Sequence, residues 1–167
     1  EKISKLRSAF EKEGTITAAN ASSINDGAAA LVVMSSEKSE EFGIQPLCKI
    51  ITQASFAQEP LYFTTAPGKA ISKVLDKSGL SIKEIDLFEI NEAFSNVTLA
   101  AMREHNIPHE KVNVHGGAVS LGHPIGASGA RILVTLISAL KQKSKKLGLA
   151  TLCIGGGEAA AVIVEMI

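Results

Sequence analysis

Hydrophobic positions in this chain switch repeatedly between the spacing of a strand and that of an amphipathic helix. We predict strands over residues 28–34, 47–57, 85–90, 112–114, 149–154 and 160–166. We predict helices over residues 3–12, 35–42, 67–78, 92–104 and 125–143. Because strands and helices alternate, the pattern indicates a layered α/β fold, and the last two strands are close enough to form an antiparallel hairpin.

The apolar run at residues 28–34 differs from the other predicted strands because it contains no polar residue. Its sequence is AAALVVM, and a polar loop of small residues at 15–27 precedes it. A run without alternation suits a strand that is covered on both faces. We therefore expect this strand to lie inside a layered structure.

Composition and charge argue against several classes of protein. Seventeen basic residues balance seventeen acidic ones, so no excess charge points to a nucleic acid or an anionic membrane. No stretch reaches the roughly 20 apolar residues of a membrane span, and the first residues lack the apolar core of a signal peptide. The two cysteines, Cys48 and Cys153, show no metal-binding spacing. We expect no metal site and a cytoplasmic location, or an organelle matrix in a eukaryote.

A first candidate for chemistry is the segment NEAFS, which follows the predicted strand 85–90. Asn91 suits the N-cap of the next helix, because asparagine side chains accept hydrogen bonds from the free amides there. Alternatively, its amide projects from the carboxyl edge of the sheet, where open α/β sheets bind ligands. The residues by themselves leave both interpretations open, and the N-cap is the commoner use of asparagine.

A second candidate is the glycine-rich loop GGAVSLGHPIGASG at residues 116–129, which contains His123. Its five glycines allow the backbone to approach a ligand closely. His123 is either a packed or capping histidine or a general base, since its intrinsic pKa lies near neutrality. A phosphate loop lacks its Gly-Lys pair here, and a nucleophile elbow fails because Ala130 stands where its last glycine belongs.

A third candidate is Cys153, which ends a predicted strand before three glycines at residues 155–157. A buried free cysteine often behaves only as a small hydrophobic residue. Alternatively, Cys153 takes part in chemistry and the glycine amides point at a developing oxyanion. The glycines imitate a dinucleotide-binding fingerprint, but an apolar strand-like tail follows them, without a helix or a ribose-binding acid.

Taken in order, these segments resemble the thiolases, and among them the acetyl-CoA acetyltransferases. The matching stretches are NEAFS at 91–95, GGAVSLGHPIGASGAR at 116–131, CIGGG at 153–157 and NASSINDGAAALVVM at 20–34. The resemblance covers nearly the whole chain and implies a thiolase-like α/β fold, whose C-terminal half is a mixed sheet covered by helices. The stretch FTTAP at 63–67 is more similar to biosynthetic, short-chain thiolases than to degradative ones.

The resemblance implies a reversible Claisen condensation of two acetyl-CoA to acetoacetyl-CoA and coenzyme A, through an acetyl-enzyme on a nucleophilic cysteine. By the same resemblance, His123 activates that cysteine and helps to bind a thioester oxygen, and Asn91 holds a water that completes this oxyanion hole. Cys153 removes the α-proton of the second substrate and reprotonates the leaving thiolate, and the Gly155 amide contributes to a second oxyanion hole. A thiol suits this role because its pKa falls beside electropositive groups.

The resemblance also implies contacts to coenzyme A and a division of the chain. The expected substrate contacts are Ser22, Phe63, Ala93 and Phe94. The expected division is an end of the coenzyme A-gripping loop domain at 1–24, the last strand and helix of the N-terminal half at 25–42, and the C-terminal half at 43–167. Coenzyme A is then a substrate and no cofactor is needed, although potassium near residues 63–67 stays open. The intact protein is expected to be a homotetramer or homodimer.

The nucleophilic cysteine belongs to the other half of the family pattern, and nothing in this chain replaces it. Cys48 lies inside a predicted strand and matches no nucleophile motif. We therefore expect the chain alone to be inactive in acyl transfer, and residues 28–34 to be disordered or paired with another copy. The alternatives are a non-catalytic domain that binds coenzyme A or acyl groups, and a 3-ketoacyl-CoA thiolase of longer-chain specificity.

Overall fold

The computed structural model describes residues 2–167, apart from the side chain of residue 4, and its centre is a four-stranded mixed sheet. The strands are β1 (Cys48–Ala57), β2 (Leu87–Ile90), β3 (Leu147–Ile154) and β4 (Glu158–Met166). Their spatial order is β1-β4-β3-β2. β4 pairs antiparallel with both β1 and β3, and β2 pairs parallel with β3. The predicted α/β fold with a mixed sheet, and the predicted final hairpin, are confirmed.

The described residues form five α-helices, of which two pack directly on opposite faces of this sheet. The helices are α1 (Ser36–Glu41), α2 (Ala66–Ser78), α3 (Ser95–His105), α4 (Ala118–Leu121) and α5 (Ser128–Gln142), and the two that pack on the sheet are α2 and α5. Short 3-10 helices occupy Ile3–Lys5, Pro60–Thr65, Ile82–Glu84 and His109–Lys111. In residues 2–167 no helix is both long and apolar enough to cross a membrane.

The core has one part on each face of the sheet. Helices α2 and α3 cover the first face, whose fully buried side chains include Ile71, Val74, Phe88, Leu149 and Ile163. Helix α5 covers the second face and packs Ile132, Leu136 and Leu140 against Leu87, Ala150 and Val164. These contacts follow from the spacing of three and four residues that puts one apolar stripe on each helix.

Local signals explain where the two main helices lie. Pro67 stands in the first turn of α2, where its missing N–H costs no hydrogen bond. Gly79 ends α2 in the left-handed conformation, with φ of 73°. Helix α5 approaches β3 at Gly148, where a Cβ atom would lie 2.7 Å from a Leu140 methyl carbon. A glycine at this position therefore lets the helix pack closely on the strand.

The prediction of a helix over residues 3–12 is wrong beyond its first turn. Only Ile3–Lys5 is helical, and Ser8 then forms an antiparallel bridge with Thr17. Ile3 and Phe10, which the pattern placed on one apolar face, are largely exposed. An amphipathic helix is stabilised when its whole apolar face is buried, and these residues leave most of that face exposed.

The strand predicted over residues 28–34 is absent from the described part of the chain. Val32 is 87% exposed and Val33 is 70% exposed, and the segment has no strand partner. A strand depends on the amides of a neighbouring strand, so an apolar run without a neighbour forms no ladder.

The strand predicted over residues 112–114 is reduced to one parallel bridge between Val112 and Phe88. Asn113 has φ of 47°, which turns the chain away from the sheet. Its side chain takes over the pairing, because Oδ1 accepts from the Ile90 amide at 2.8 Å and Nδ2 donates to the Ile90 carbonyl at 2.9 Å. Two helices also begin three residues later than predicted, at Ser95 and Ser128.

Candidate active site

The sheet brings two of the predicted site residues to the same edge. Asn91 follows the last residue of β2, and its backbone amide donates to the Thr151 carbonyl on β3 at 3.0 Å. Cys153 lies two residues beyond Thr151 on the same strand. Because β2 and β3 are parallel, both residues stand at the carboxyl ends of their strands, where open α/β sheets place ligand sites.

Asn91 is not the N-cap of the following helix, so that interpretation of the sequence is wrong. Helix α3 begins at Ser95, and Phe94 occupies its N-cap position. The Asn91 side chain is buried and faces the site, where its Oδ1 accepts from Arg131 Nη2 at 3.2 Å. Its Nδ2 lies 3.5 Å from Nε2 of His123.

The N-terminal segment holds the glycine-rich loop that carries His123. The His123 amide donates to the Ser23 carbonyl at 3.0 Å and lies 3.2 Å from Asn25 Oδ1. Gly122 has φ of 101°, and a Cβ atom there would lie 2.4 Å from the same Asn25 oxygen. The loop is therefore closed against residues almost one hundred positions earlier in the chain, and only glycine fits at position 122.

The hydrogen bonds around His123 favour one tautomer of its ring. Its Nδ1 lies 2.7 Å from Ser128 Oγ, and Ser128 Oγ lies 3.0 Å from the Pro124 carbonyl, to which it can donate its single hydrogen. With that hydrogen bond made, Ser128 accepts from Nδ1–H, and a free lone pair stays on Nε2. Burial, with the nearby positive charge of Arg131, lowers the pKa of His123 and favours the neutral ring. In this tautomer the Nε2 atom of the neutral ring can accept a proton.

An ion pair that the sequence analysis missed lies behind Asn91. Glu89 is buried on β2, and its Oε2 lies 3.5 Å from Arg131 Nη1 on α5. Burial raises the pKa of Glu89 to about 7, although Arg131 opposes the shift; Glu92 adds to it. A charged residue inside the apolar stretch LFEI was the signal that could have indicated it.

Cys153 is half-buried, and the pKa of its thiol differs from the prediction. Burial raises the pKa of the Cys153 thiol above its ordinary value, and a hydrogen bond with its own backbone opposes this only in part. The expectation that electropositive groups lower this pKa is therefore wrong for the described residues. Beyond Cys153 the chain turns through three glycines, and a Cβ atom at Gly155 would meet no heavy atom within 4 Å. Gly155 is exposed beside open space, where a ligand atom could approach its backbone.

The four predicted contacts to substrate also lie close together. The hydroxyl and the amide of Ser22 both donate to the Ala93 carbonyl, at 2.9 and 3.0 Å. The rings of Phe94 and Phe63 pack edge to face, with centroids 6.2 Å apart. Phe94 packs likewise against Phe10 at 5.6 Å, a neighbour that the sequence analysis did not name. These contacts join the N-terminal segment to the strand end that carries Asn91.

A cavity elsewhere in the described residues does not coincide with this site. That cavity, one of about 670 Å³ between α3 and α4, has a lining that includes Glu92, Met102 and Val119 but neither His123 nor Cys153. Glu92 is occupied there, because its carboxylate accepts from Asn113 Nδ2 at 2.9 Å and from the Val119 amide at 3.1 Å. The volume of a cavity alone therefore does not locate the candidate active site. The polar groups that converge at the carboxyl ends of the strands are the stronger indication.

Comparison with known proteins agrees with this arrangement. The family model for the thiolase C-terminal domain matches residues 44–166, and the model for the thiolase N-terminal domain matches residues 1–37. The acetyl-CoA acetyltransferase of Syntrophomonas wolfei is 52% identical over 167 residues, covering 99% of this chain and 42% of that protein. Acetyl-CoA acetyltransferase 2 of Arabidopsis thaliana is 53% identical over 167 residues, covering 99% of this chain and 41% of that protein.

Solved structures show the same likeness in three dimensions. The Bacillus anthracis acetyl-CoA acetyltransferase has a TM-score of 0.96 at 46% identity, and human mitochondrial 3-ketoacyl-CoA thiolase in complex with CoA has 0.92 at 38%. Each comparison covers 99% of this chain and 42% of the other chain. The chain thus spans about two fifths of the length of these relatives. The match of the family model to most of the chain, together with the likeness in fold, shows that the chain belongs to the thiolase family.

Proposed function

We propose that the full-length protein containing this chain is an acetyl-CoA C-acetyltransferase. The observation that carries the proposal is the contact between Asn91 Nδ2 and the unprotonated Nε2 of His123, at 3.5 Å. It lies at the carboxyl ends of the parallel strands, where Cys153 is the residue before the last of β3. A base, a hydrogen-bond donor and a thiol at one edge are what acyl transfer followed by removal of an α-proton requires.

In this proposal His123 Nε2 takes the proton of a nucleophilic cysteine contributed by the rest of the protein. The thiolate then attacks the carbonyl carbon of acetyl-CoA, the carbon–sulfur bond to coenzyme A breaks, and an acetyl-enzyme forms. Asn91, with a bound water, and His123 donate to the oxyanion that develops on the thioester oxygen. The neutral, partly buried state of His123 supports its role as the initial base.

Cys153 carries the proton in both halves of the reaction. Because its pKa is raised, Cys153 rests as a thiol and can give its proton to the departing coenzyme A thiolate. The Cys153 thiolate left behind then removes the α-proton of the second acetyl-CoA. The resulting carbanion attacks the acetyl-enzyme, which releases acetoacetyl-CoA and the nucleophilic cysteine. The Gly155 amide donates to the enolate oxygen of the second substrate.

The remaining parts of the proposal concern the whole protein. Ser22, Phe63, Ala93 and Phe94 are proposed to line the path of the pantetheine arm to the site. The short-chain preference rests on the likeness to acetyl-CoA acetyltransferases of 52% and 53% identity. The intact protein is proposed to be a homotetramer or homodimer in the cytoplasm or an organelle matrix. In this proposal coenzyme A is a substrate and no cofactor is required.

The test is coenzyme A-dependent thiolysis of acetoacetyl-CoA, followed by the loss of substrate absorbance. We expect turnover with the full-length protein and none with this chain alone, since neither Cys48 nor Cys153 is the nucleophile. Replacing the substrate with a longer 3-ketoacyl-CoA should reduce kcat/KM. A higher value for the longer substrate would favour a 3-ketoacyl-CoA thiolase, and turnover by the isolated chain would contradict the assignment of the nucleophile.

Two neighbouring histidines provide a matched control for this assay. His123→Ala should lower kcat of the full-length protein by about 10²–10⁴-fold, because it removes the general base. His115→Ala changes an exposed residue at the start of the same loop and should leave kcat unchanged. Equal losses of kcat in the two variants would show that activity depends on the loop as a whole and not on the His123 ring.

A further inference from the structure

We propose that Arg131 and Glu89 form a positioning pair, which holds the Asn91 amide with its NH2 group turned toward His123. The inference deepens the proposed function, because it assigns two more residues to the same site. Its activity test rests on that function. A measurement of ¹⁵N chemical shifts tests the pair without turnover.

The two ends of the Asn91 side chain differ in chemistry but hardly in shape. A turn of 180° about its last bond exchanges a hydrogen-bond acceptor for a donor. In the observed orientation Oδ1 accepts from Arg131 Nη2 at 3.2 Å, and Nδ2 faces the lone pair of His123 Nε2. The reversed orientation would set donor against donor at Arg131 and acceptor against acceptor at His123. A guanidinium group has no hydrogen-bond acceptor, so Arg131 is compatible with only one of the two orientations of the Asn91 amide.

The first turn of α5 aligns both halves of the site. Ser128 and Arg131 are three residues apart and so lie on the same side of the helix. Ser128 fixes the His123 tautomer, and Arg131 fixes the Asn91 amide. Helix α5 thus provides a hydrogen-bond partner both for the His123 ring and for the Asn91 amide. As a result, the lone pair of Nε2 and the NH2 group of Asn91 face each other.

Glu89 holds the guanidinium over the end of β2. Glu89 and Asn91 are two residues apart along an extended chain, so their side chains leave the same face of the strand. The other carboxylate nearby, Glu92, is engaged by Asn113 and by the Val119 amide. Glu89 is thus the carboxylate that is placed to balance the charge of Arg131.

Stability does not explain why this pair is buried. The carboxylate of Glu89 is almost inaccessible to solvent, and its contact with Arg131 at 3.5 Å is an ion pair without a hydrogen bond. Within residues 2–167, Glu89 Oε1 and the Nε and Nη1 atoms of Arg131 have no hydrogen-bond partner. Burial of charges with so little hydrogen bonding is unfavourable. The hydrogen bond that Arg131 does make is the one to Asn91, which points to a role in positioning.

A double-mutant cycle in the full-length protein tests this role by thiolysis. Arg131→Met should lower kcat by about 10–100-fold with little change in KM, since a misdirected donor loses much of the 10²–10³-fold effect of one oxyanion-hole group. In the Asn91→Ala background, Arg131→Met should cause no further loss. Arg131→Lys, which keeps the charge but not the planar fork, should recover part of kcat. Multiplicative losses from Arg131→Met and Asn91→Ala would overturn the proposal.

Arg103→Met is the matched control for this series. Arg103 lies exposed in the last turn of α3, away from the site, so its replacement should leave kcat and KM unchanged. Thermal denaturation of each variant identifies any that fails to fold, and Arg131→Lys then carries the comparison. An Arg103→Met variant that loses as much kcat as the Arg131 variants would contradict the proposal.

The measurement that needs no turnover is the ¹⁵N chemical shift of the His123 ring nitrogens in the full-length protein. Arg131→Met should change the Nε2 shift when Asn91 is present and leave it much less affected in Asn91→Ala. No change, or equal changes in both backgrounds, would overturn the positioning role. An Asn91-dependent change in a protein without thiolysis activity would support the positioning role and contradict the proposed function.

Discussion

Burial shifts the pKa of three ionisable side chains at or just behind the sheet edge. It raises the pKa of Cys153, raises that of Glu89 to about 7 and lowers that of His123. Each shift favours the uncharged form, because a low-dielectric site penalises charge whatever its sign. Near neutral pH the site therefore begins with a neutral base and a neutral thiol. It develops charge only as protons are transferred.

The raised pKa of Cys153 predicts slow alkylation of its thiol. Iodoacetamide reacts with the thiolate, so a higher pKa leaves less of the reactive form at a given pH. In the full-length protein we expect Cys153 to react more slowly than glutathione at pH 8, with a rate that still rises above pH 9. Mass spectrometry of the peptide that contains Cys153 measures the rate. Faster reaction than glutathione at pH 7 would contradict the direction of the shift.

At the scale of elements, tight turns decide where the strands and helices place their side chains. The turn between β3 and β4 uses Gly156 and Gly157, with φ of 93° and 92°. Gly157 also contacts the strand end of β1, because its carbonyl accepts from the Gln58 amide at 3.0 Å. The turn therefore ties three strands together directly beside Cys153.

The two glycines predict different effects of the same substitution. Gly157→Ala would place a Cβ atom 2.2 Å from the Gln58 carbonyl oxygen, whereas at Gly156 no heavy atom lies within 4 Å. Gly156→Ala should lower the free energy of unfolding by about 1–2 kcal/mol through its backbone conformation alone. Gly157→Ala adds the clash and should cost about 3 kcal/mol or more. Urea denaturation of the full-length variants measures both changes in the free energy of unfolding. Equal decreases would show that the backbone at Gln58 can move away from the added methyl group at little cost.

At the scale of the whole molecule, the chain exposes apolar residues that a complete thiolase would be expected to cover. The segment 28–34 presents Val32 and Val33 to solvent without any strand partner in the described residues. A continuous apolar run is typical of a strand buried on both faces. The predicted division at residues 24 and 42 assigns this segment to the sheet of the N-terminal half, and that division stays a prediction.

Hydrogen exchange tests where the segment 28–34 belongs. In the full-length protein we expect its amides to exchange slowly, because they would pair with strands outside this chain. In the isolated chain the same amides should exchange at nearly the rate of an unstructured peptide. Mass spectrometry of the peptide covering 28–34 measures both rates. Rapid exchange in the full-length protein would place the segment outside any sheet.

Several elements could be predicted from the sequence because their signals are local. The apolar stripes of α2 and α5, the ends of α2 at Pro67 and Gly79, and the strands β1, β3 and β4 all follow from spacing over a few residues. The motifs around Asn91, His123 and Cys153 also indicated the family, which the comparisons confirm. The roles of the individual site residues stay predictions until the experiments above are done.

Only the tertiary structure decided what depends on partners that are distant in sequence. Asn91 and Arg131 are forty positions apart, so no local pattern could show that the Asn91 amide caps no helix and instead faces His123. Asn113 ends a predicted strand by bonding the backbone of Ile90, twenty-three positions away. The apolar run at 28–34 reads as a strand, yet it forms none here, because a strand requires the hydrogen bonds of a neighbour. Local periodicity determines which apolar side chains share a face and therefore favour burial. The packing partners, which are distant in sequence, determine whether and where those side chains are buried.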